Sequence, residues 1–295
     1  MTIPECAPSL PICRAPRVRL PLGAVDCHFH VFGPEAEFPY APGRSYTPPD
    51  ASIAEYETLA RILGFSRAVI VQPSVYGFDN SRTLSFLQKN HLTTRAVLVL
   101  DPNISEKELE RLHQLGVRGV RVNLVFAAGL ALEAASILAR KIAGLGWHLQ
   151  LLADVSQLEE LKGLVRRLDI PVVFDHLGHV PAQKGIADKG FQALLSLVRD
   201  GSAWVKLTGA YRVTGIKATP YDDVRPFIEA LIDANPLQLV SGTDWPHPSI
   251  PVPMPDDTDL MDMFSGWLDD AELNQQLFVK NPERLYGFET LGETT

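Results

Sequence analysis

Short apolar runs alternate with amphipathic stretches along nearly the whole chain. Ala24–His30 reads as a first strand, and seven further runs follow: Ala68–Val71, Ala96–Leu100, Val117–Leu124, Trp147–Leu152, Ile170–Phe174, Ala203–Leu207 and Leu237–Ser241. Between them apolar residues recur at helical spacing, as in Ile53, Tyr56, Ala60 and Leu63 before Gly64. Further helices are predicted around Thr83–Leu87, Leu132–Ala143, Leu158–Leu168, Phe191–Val198 and Phe227–Ile232. Ser105 with Glu108 has the capping-box pattern of a helix start. Two terminal helices are expected near Asp259–Leu268 and Ala271–Val279. Such alternation predicts parallel βα units. About eight of them point to an α/β fold, a distorted (β/α)8 TIM barrel over residues 23–295. Residues 1–22 are Pro-rich and aperiodic and read as an arm lying over that single domain. A doubly wound open sheet is the rival architecture, but no G-x-G-x-x-G follows strand one.

In a barrel the chemistry gathers where strands end at their C-terminal side. His28 and His30 close strand one, and residues two apart on a strand share a face. Their imidazoles can converge on a metal ion or a polarised oxygen. The other strand ends supply Gln72 and Ser74, Arg121 and Asn123, Asp175 and His176, Lys206 with Tyr211 and Arg212, and Asp244 with His247. Three histidines and an aspartate at strand mouths is a far more specific pattern than H-x-H alone. A solvated polar rim is the plain alternative. Asp175 reads equally well as a residue that orients a loop, and Lys206 as a packing residue paired with a carboxylate. His179 reads as a loop residue; His91, His113 and His148 lie in helices or on the wrong side of their elements. Arg118 and Arg121 are three apart and face opposite sides, so only Arg121 is expected to point inward.

Net charge is −8, which argues against a nucleic-acid partner but not against a small anionic substrate. Cys6, Cys13 and Cys27 are too few for a disulfide framework, which suggests a reducing, cytoplasmic setting. The N-terminal stretch has no apolar core of a signal peptide, and no run is long enough to span a membrane. A homo-oligomeric state is left open.

Several segments together resemble the amidohydrolase superfamily. They are Val25-Asp26-Cys27-His28-Phe29-His30, Asp175-His176-Leu177-Gly178 and Gly242-Thr243-Asp244-Trp245-Pro246-His247. Within it, the chain is similar to the branch of the 2-pyrone-4,6-dicarboxylate lactonases and related enzymes such as 4-sulfomuconolactone hydrolase. The matching stretches include Tyr46-Thr47-Pro48, Val71-Gln72-Pro73-Ser74, Gly119-Val120-Arg121-Val122-Asn123 and Asn281-Pro282. The resemblance implies hydrolysis of a small anionic lactone from aromatic-acid degradation. It assigns carbonyl polarisation to His28, His30 and His176, and the general base to Asp244. Arg121, Arg212, Tyr46, Ser74, Asn123 and His247 are then expected to contact the substrate. Two anion-binding positions of the pyrone branch are missing: Val125-Phe126-Ala127-Ala128 stands where an arginine is expected, and Leu151-Leu152 where a tyrosine is.

His28, His30, His176 and Asp244 could also supply four ligands to one divalent metal, with zinc preferred. The pyrone branch works without a metal on this same set. No lysine or glutamate ends strand four to bridge a second ion. The competing functions are a non-oxidative decarboxylase of a ring-cleavage acid, a hydrolase or isomerase of sugar-acid lactones, and a binding protein on a silent barrel.

Overall fold

Eight parallel strands follow one another in chain order around one sheet: β1 (Val25–Phe29), β2 (Arg67–Val71), β3 (Thr93–Leu98), β4 (Val117–Asn123), β5 (His148–Leu152), β6 (Val172–Phe174), β7 (Ala203–Leu207) and β8 (Leu239–Ser241). The structure, a computed structural model, describes residues 3–123, 132–158 and 161–290. Helices α1 (Ile53–Leu63), α2 (Ser81–Lys89), α3 (Glu106–Gln114), α4 (Leu132–Ile142), α5 (Leu161–Leu168) and α6 (Lys189–Arg199) occupy successive crossovers. The β7–β8 crossover carries a short α7 (Ala210–Val213) and α8 (Arg225–Ala234). After β8 come α9 (Asp257–Trp267), α10 (Ala271–Gln275) and α11 (Asn281–Tyr286). This is the expected (β/α)8 barrel.

Local chemistry accounts for the element ends. Ser52 and Glu55 form a full capping box on α1, and Gly64, at φ 93°, closes that helix in the left-handed conformation that only glycine adopts without strain. The box expected at Ser105 is half made. Ser105 accepts from the Glu108 N–H, but the Glu108 carboxylate turns to Arg111 at 2.6–2.8 Å, where a charged partner outcompetes a backbone amide. Strand six starts at Val172 and not at Ile170, because Pro171 has no N–H to give the ladder. Strand eight starts at Leu239, since Asn235 caps a turn over Pro236–Gln238. β3 runs from Thr93 to Leu98, earlier than expected. Leu124 and Val125-Phe126-Ala127-Ala128 lie outside the described residues.

Two apolar layers hold the barrel. The larger lies between strands and helices and includes Phe29, Tyr56, Phe86, Trp147 and Phe191. The smaller joins Val25, Cys27, Val69, Val71, Val97, Val173 and Val240 with Leu285, Tyr286 and Phe288 from the chain's end. Ladders join every consecutive pair of strands from β1 to β8. The seam between β8 and β1 is closed just beyond β8: Asp244 N–H donates to His28 O at 2.7 Å, and His30 N–H to Trp245 O at 2.8 Å. The arm at the N-terminus is tied down at two places. Cys6 N–H bonds Thr47 O, and Arg14 pairs with Asp259 and Asp262 of α9. No helix among the described residues is long and apolar enough to cross a membrane.

Candidate active site

A bulge in β1 aims the first two histidines. Asp26 pairs with Ala68 and Phe29 with Ile70, so three steps on β1 match two on β2. A bulge of this kind breaks the alternation of faces. Asp26 therefore turns outward to Tyr56 of α1, while His28 and His30 both face the barrel mouth. Asp26 accepts from Thr243 N–H at 2.9 Å, Thr243 Oγ1 at 2.7 Å, His28 N–H at 3.1 Å and Tyr56 O–H at 3.0 Å. It is the clasp that fixes β1 against the segment carrying Asp244.

Three ring nitrogens converge on one oxygen. Nε2 of His28, His30 and His176 lie 3.7, 3.8 and 3.8 Å from Asp244 Oδ1. All three distances exceed those of a hydrogen bond. His176 and Asp244 sit in the turns after β6 and β8 with φ of 48° and 60°. Left-handed conformations of non-glycine residues concentrate where a side chain must be aimed.

The far sides of the rings say which atoms carry hydrogen. His30 Nδ1 is 2.7 Å from Val71 O, which can only accept. In the neutral ring its Nε2 is therefore a bare lone pair. His28 Nδ1 lies 3.3 Å from both Asp175 Oδ1 and Lys206 Nζ. His176 Nδ1 meets Thr208 Oγ1 at 2.8 Å. Burial, aided by Lys206, pushes His28 down to about 4, and burial drives His30 and His176 well below the ordinary histidine value. At neutral pH the rings are uncharged. Burial opposes ionisation of Asp244, but the Arg212 guanidinium outweighs it and holds the carboxyl well below its usual range.

The His30 lone pair and a carboxylate oxygen thus face one another in a buried site. His28 Nε2 and Asp244 Oδ1 have no hydrogen-bond partner among the described residues. An arrangement of this kind is costly unless a cation or a substrate group completes it. Ligand atoms of His28, His176 and Asp244 lie within 4.8 Å of one another, with His30 beside them. A histidine that gives its other N–H to a backbone carbonyl is the usual arrangement of a metal ligand. The residues present fit a divalent metal.

Around the confluence the charges are paired. Asp175 Oδ2 accepts from Arg121 Nε and Nη2 at 3.2 and 3.1 Å and from Gln150 Nε2 at 3.1 Å. Lys206 donates to Cys27 O and Gln150 Oε1, each at 2.8 Å, and burial lowers it to about 8. Arg212 Nε reaches Asp244 Oδ2 at 2.5 Å and its Nη1 reaches Pro248 O. Tyr211 O–H contacts the same Oδ2 at 2.7 Å, so both Tyr211 and Arg212 face the site.

A narrow pocket opens above, lined by His30, Tyr46, Ser74, Arg121, Leu152, His176, Arg212 and Pro248. Tyr46 and Ser74 are both buried there. Asn123 is buried at the end of β4. His247 is not on this cavity's lining; it is fully buried behind Tyr211, with both ring nitrogens engaged. Arg118 is half-buried and bonds His113 O. His148 is buried at the start of β5 against Tyr286, at the end of the barrel away from the site. Sequence reasoning passed over Gln150, Asp26 and Asp257. His148, Gln150 and Leu152 alternate with leucines along β5, a signal that could have marked Gln150 as inward.

The amidohydrolase family model matches residues 25–288. The chain is 40% identical over 281 residues to the 2-pyrone-4,6-dicarboxylate hydrolase of Comamonas testosteroni, covering 92% of each chain. It is 36% identical over 300 residues to the 4-sulfomuconolactone hydrolase of Rhizobium radiobacter, covering 97% of this chain and 99% of that one. A crystal structure from Agrobacterium tumefaciens has a TM-score of 0.81 at 28% identity, covering 94% of this chain and 100% of that one. Fold, strand-end histidines and aspartate, and matches along almost the whole length agree: the chain belongs to the amidohydrolase family.

Proposed function

We propose that this protein is a hydrolase that opens the ring of a small anionic lactone, of the 4-sulfomuconolactone or 2-pyrone-4,6-dicarboxylate type. The observation that carries the reading is the convergence of three imidazoles on Asp244 Oδ1, which has no hydrogen-bond partner among the described residues, beside a pocket lined by His30, His176 and two arginines. The names of the two relatives support it. Arg121, Lys206 and Arg212 exceed Asp175 and Asp244 by one charge among the described residues, which favours an anion.

Each side chain has a part in this reaction. Arg121 and Arg212 have N–H groups beyond those bonded to Asp175, Gln72, Asp244 and Pro248, and these hold the substrate's acidic groups. Leu152 gives one apolar wall, and Tyr46 with Ser74 a polar one. Asp244 Oδ1 takes a proton from the attacking water as the hydroxyl oxygen bonds the lactone carbonyl carbon. The ring C–O bond then breaks, and the proton on Asp244 passes to the departing ring oxygen. One carboxylic acid, which ionises by releasing its proton to solvent, and one hydroxyl, or its keto tautomer, result.

His28, His30, His176 and Asp244 would hold one zinc ion, which when bound supplies Lewis-acid polarisation of the carbonyl. A cytoplasmic setting goes with the three free cysteines.

Ring opening of a lactone panel, followed by ultraviolet absorbance, tests the proposal. Turnover of 2-pyrone-4,6-dicarboxylate or 4-sulfomuconolactone supports it, and the preferred one names the substrate. Release of carbon dioxide from a ring-cleavage acid, or turnover of sugar-acid lactones alone, would replace it with one of the other readings.

A further inference from the structure

Behind Asp244 a second line of buried polar groups leads away from the cavity. Tyr211 of α7 places its hydroxyl 2.7 Å from Asp244 Oδ2 and 2.6 Å from His247 Nδ1. The other nitrogen of that ring, Nε2, is 3.0 Å from Oδ1 of Asp257, the first residue of α9. Tyr211, His247 and Asp257 are 1%, 0% and 3% exposed, so bulk water does not complete their bonds. Three separate elements meet to build this line.

A hydroxyl has a single hydrogen. With Tyr211 donating to Asp244, the contact to His247 closes only when Nδ1 is itself a donor. With Tyr211 donating to His247, two sets of lone pairs stand 2.7 Å apart at Asp244 unless the carboxyl is protonated. Arg212, on the same Oδ2, holds that carboxyl ionised. Tyr211 O–H therefore donates to Asp244 Oδ2, and the His247 ring, fixed on its far side by Asp257, holds the Tyr211 oxygen in place.

We infer that His247 and Asp257 are positioning residues for Asp244, acting through Tyr211 to hold Oδ2 and leave Oδ1 as the oxygen that faces the three imidazoles. A carboxylate held at one oxygen by Tyr211 and Arg212 cannot rotate to exchange its two oxygens. Loss of the line costs rate and not binding, because neither His247 nor Asp257 is among the residues lining the cavity beside Arg121. The catalytic consequence rests on the lactonase reading above; the direction of the hydrogens does not.

Two measurements test this on the full-length protein. In ¹⁵N-histidine-labelled wild type, His247 Nδ1 carries a hydrogen, its resonance assigned by its loss in His247→Gln, and Asp257→Asn shifts that resonance. A wild type whose Nδ1 carries no hydrogen overturns the inference whether or not a lactone is opened. In turnover, Tyr211→Phe and Asp257→Asn each lower kcat by about ten- to a hundredfold with KM within about threefold. The double variant is no slower than Tyr211→Phe alone, because the two residues act as one unit. Additive losses, or a loss confined to KM, overturn it. Asp257→Asn keeps the shape of the side chain, so it carries both tests if His247→Gln fails to fold. Absence of ring opening in the wild type overturns the lactonase reading alone, and the hydrogen at Nδ1 then decides this inference.

Discussion

Gly242→Ala probes the seam on which the site depends. An added Cβ would lie 2.5 Å from Asp26 Oδ1, 2.6 Å from His28 N and 2.8 Å from Cys27 N. Ordinary contact begins at about 3.5 Å, so the two chain segments must part by about 0.9 Å. The bond from Asp244 N–H to His28 O, now 2.7 Å, then opens to about 3.6 Å, past the range of an amide hydrogen bond. The companion bond from His30 N–H to Trp245 O goes with it. Two lost backbone bonds cost about 1 kcal/mol each. Overpacking adds about 1–3 kcal/mol. For a chain of this size each kcal/mol moves the melting temperature by about 2 °C, so a fall of about 6–10 °C is expected. The same displacement carries Asp244 away from His28, and a misplacement on the order of 1 Å costs about a hundredfold in rate. The assay is thermal melting by circular dichroism, with ring opening measured well below the lowered midpoint. Melting within about 1 °C of wild type, with kcat within about twofold, would refute the claim that close approach at Gly242 sets the site.

Three further outcomes follow from the same structure. Burial outweighs the hydrogen bonds at Asp26 and raises it to about 6 from the ordinary 3.8. A raised folded value means that stability from this group is full below the unfolded pKa and is lost as pH rises through about 6, a change of about 3 kcal/mol. Urea unfolding of wild type against Asp26→Asn between about pH 4 and 7 should show wild type losing ground; a gap moving the other way contradicts the assignment. Arg121→Met should raise KM for a lactone bearing acid groups by about ten- to a hundredfold while changing kcat less; an equal effect on an uncharged lactone removes the anchoring role. Ser52→Ala removes the α1 capping box and should cost about 1 kcal/mol, read as about 2 °C in melting with kcat unchanged; an unchanged melting point would mean the cap is idle.

Much of this was legible in the chain because it is local. The apolar runs and helical spacings place all eight strands, and the i, i+2 spacing of His28 and His30 was enough to aim both at one point. What was not legible is long-range or irregular. Nothing in Val25-Asp26-Cys27-His28 marks a bulge, yet the bulge decides that Asp26 faces α1 while His28 faces the site. Asp175 draws partners from β1, β4, β5 and β7, a meeting that only barrel closure creates. Asp257 reads as an ordinary acidic helix start, and its bond to His247 depends on how α9 returns over β8. His247 was expected at the substrate, and nothing in its place in the chain marks its contacts with Tyr211 and Asp257.

The account turns on Asp244 as the base that activates water. The most direct measurement is kcat for ring opening by Asp244→Asn against wild type, on whichever lactone the wild type prefers, with melting temperatures compared in parallel. The account predicts a loss of about a thousandfold or more in a variant that still melts as a folded protein. Turnover within about tenfold of wild type would contradict it and remove Asp244 from the chemistry.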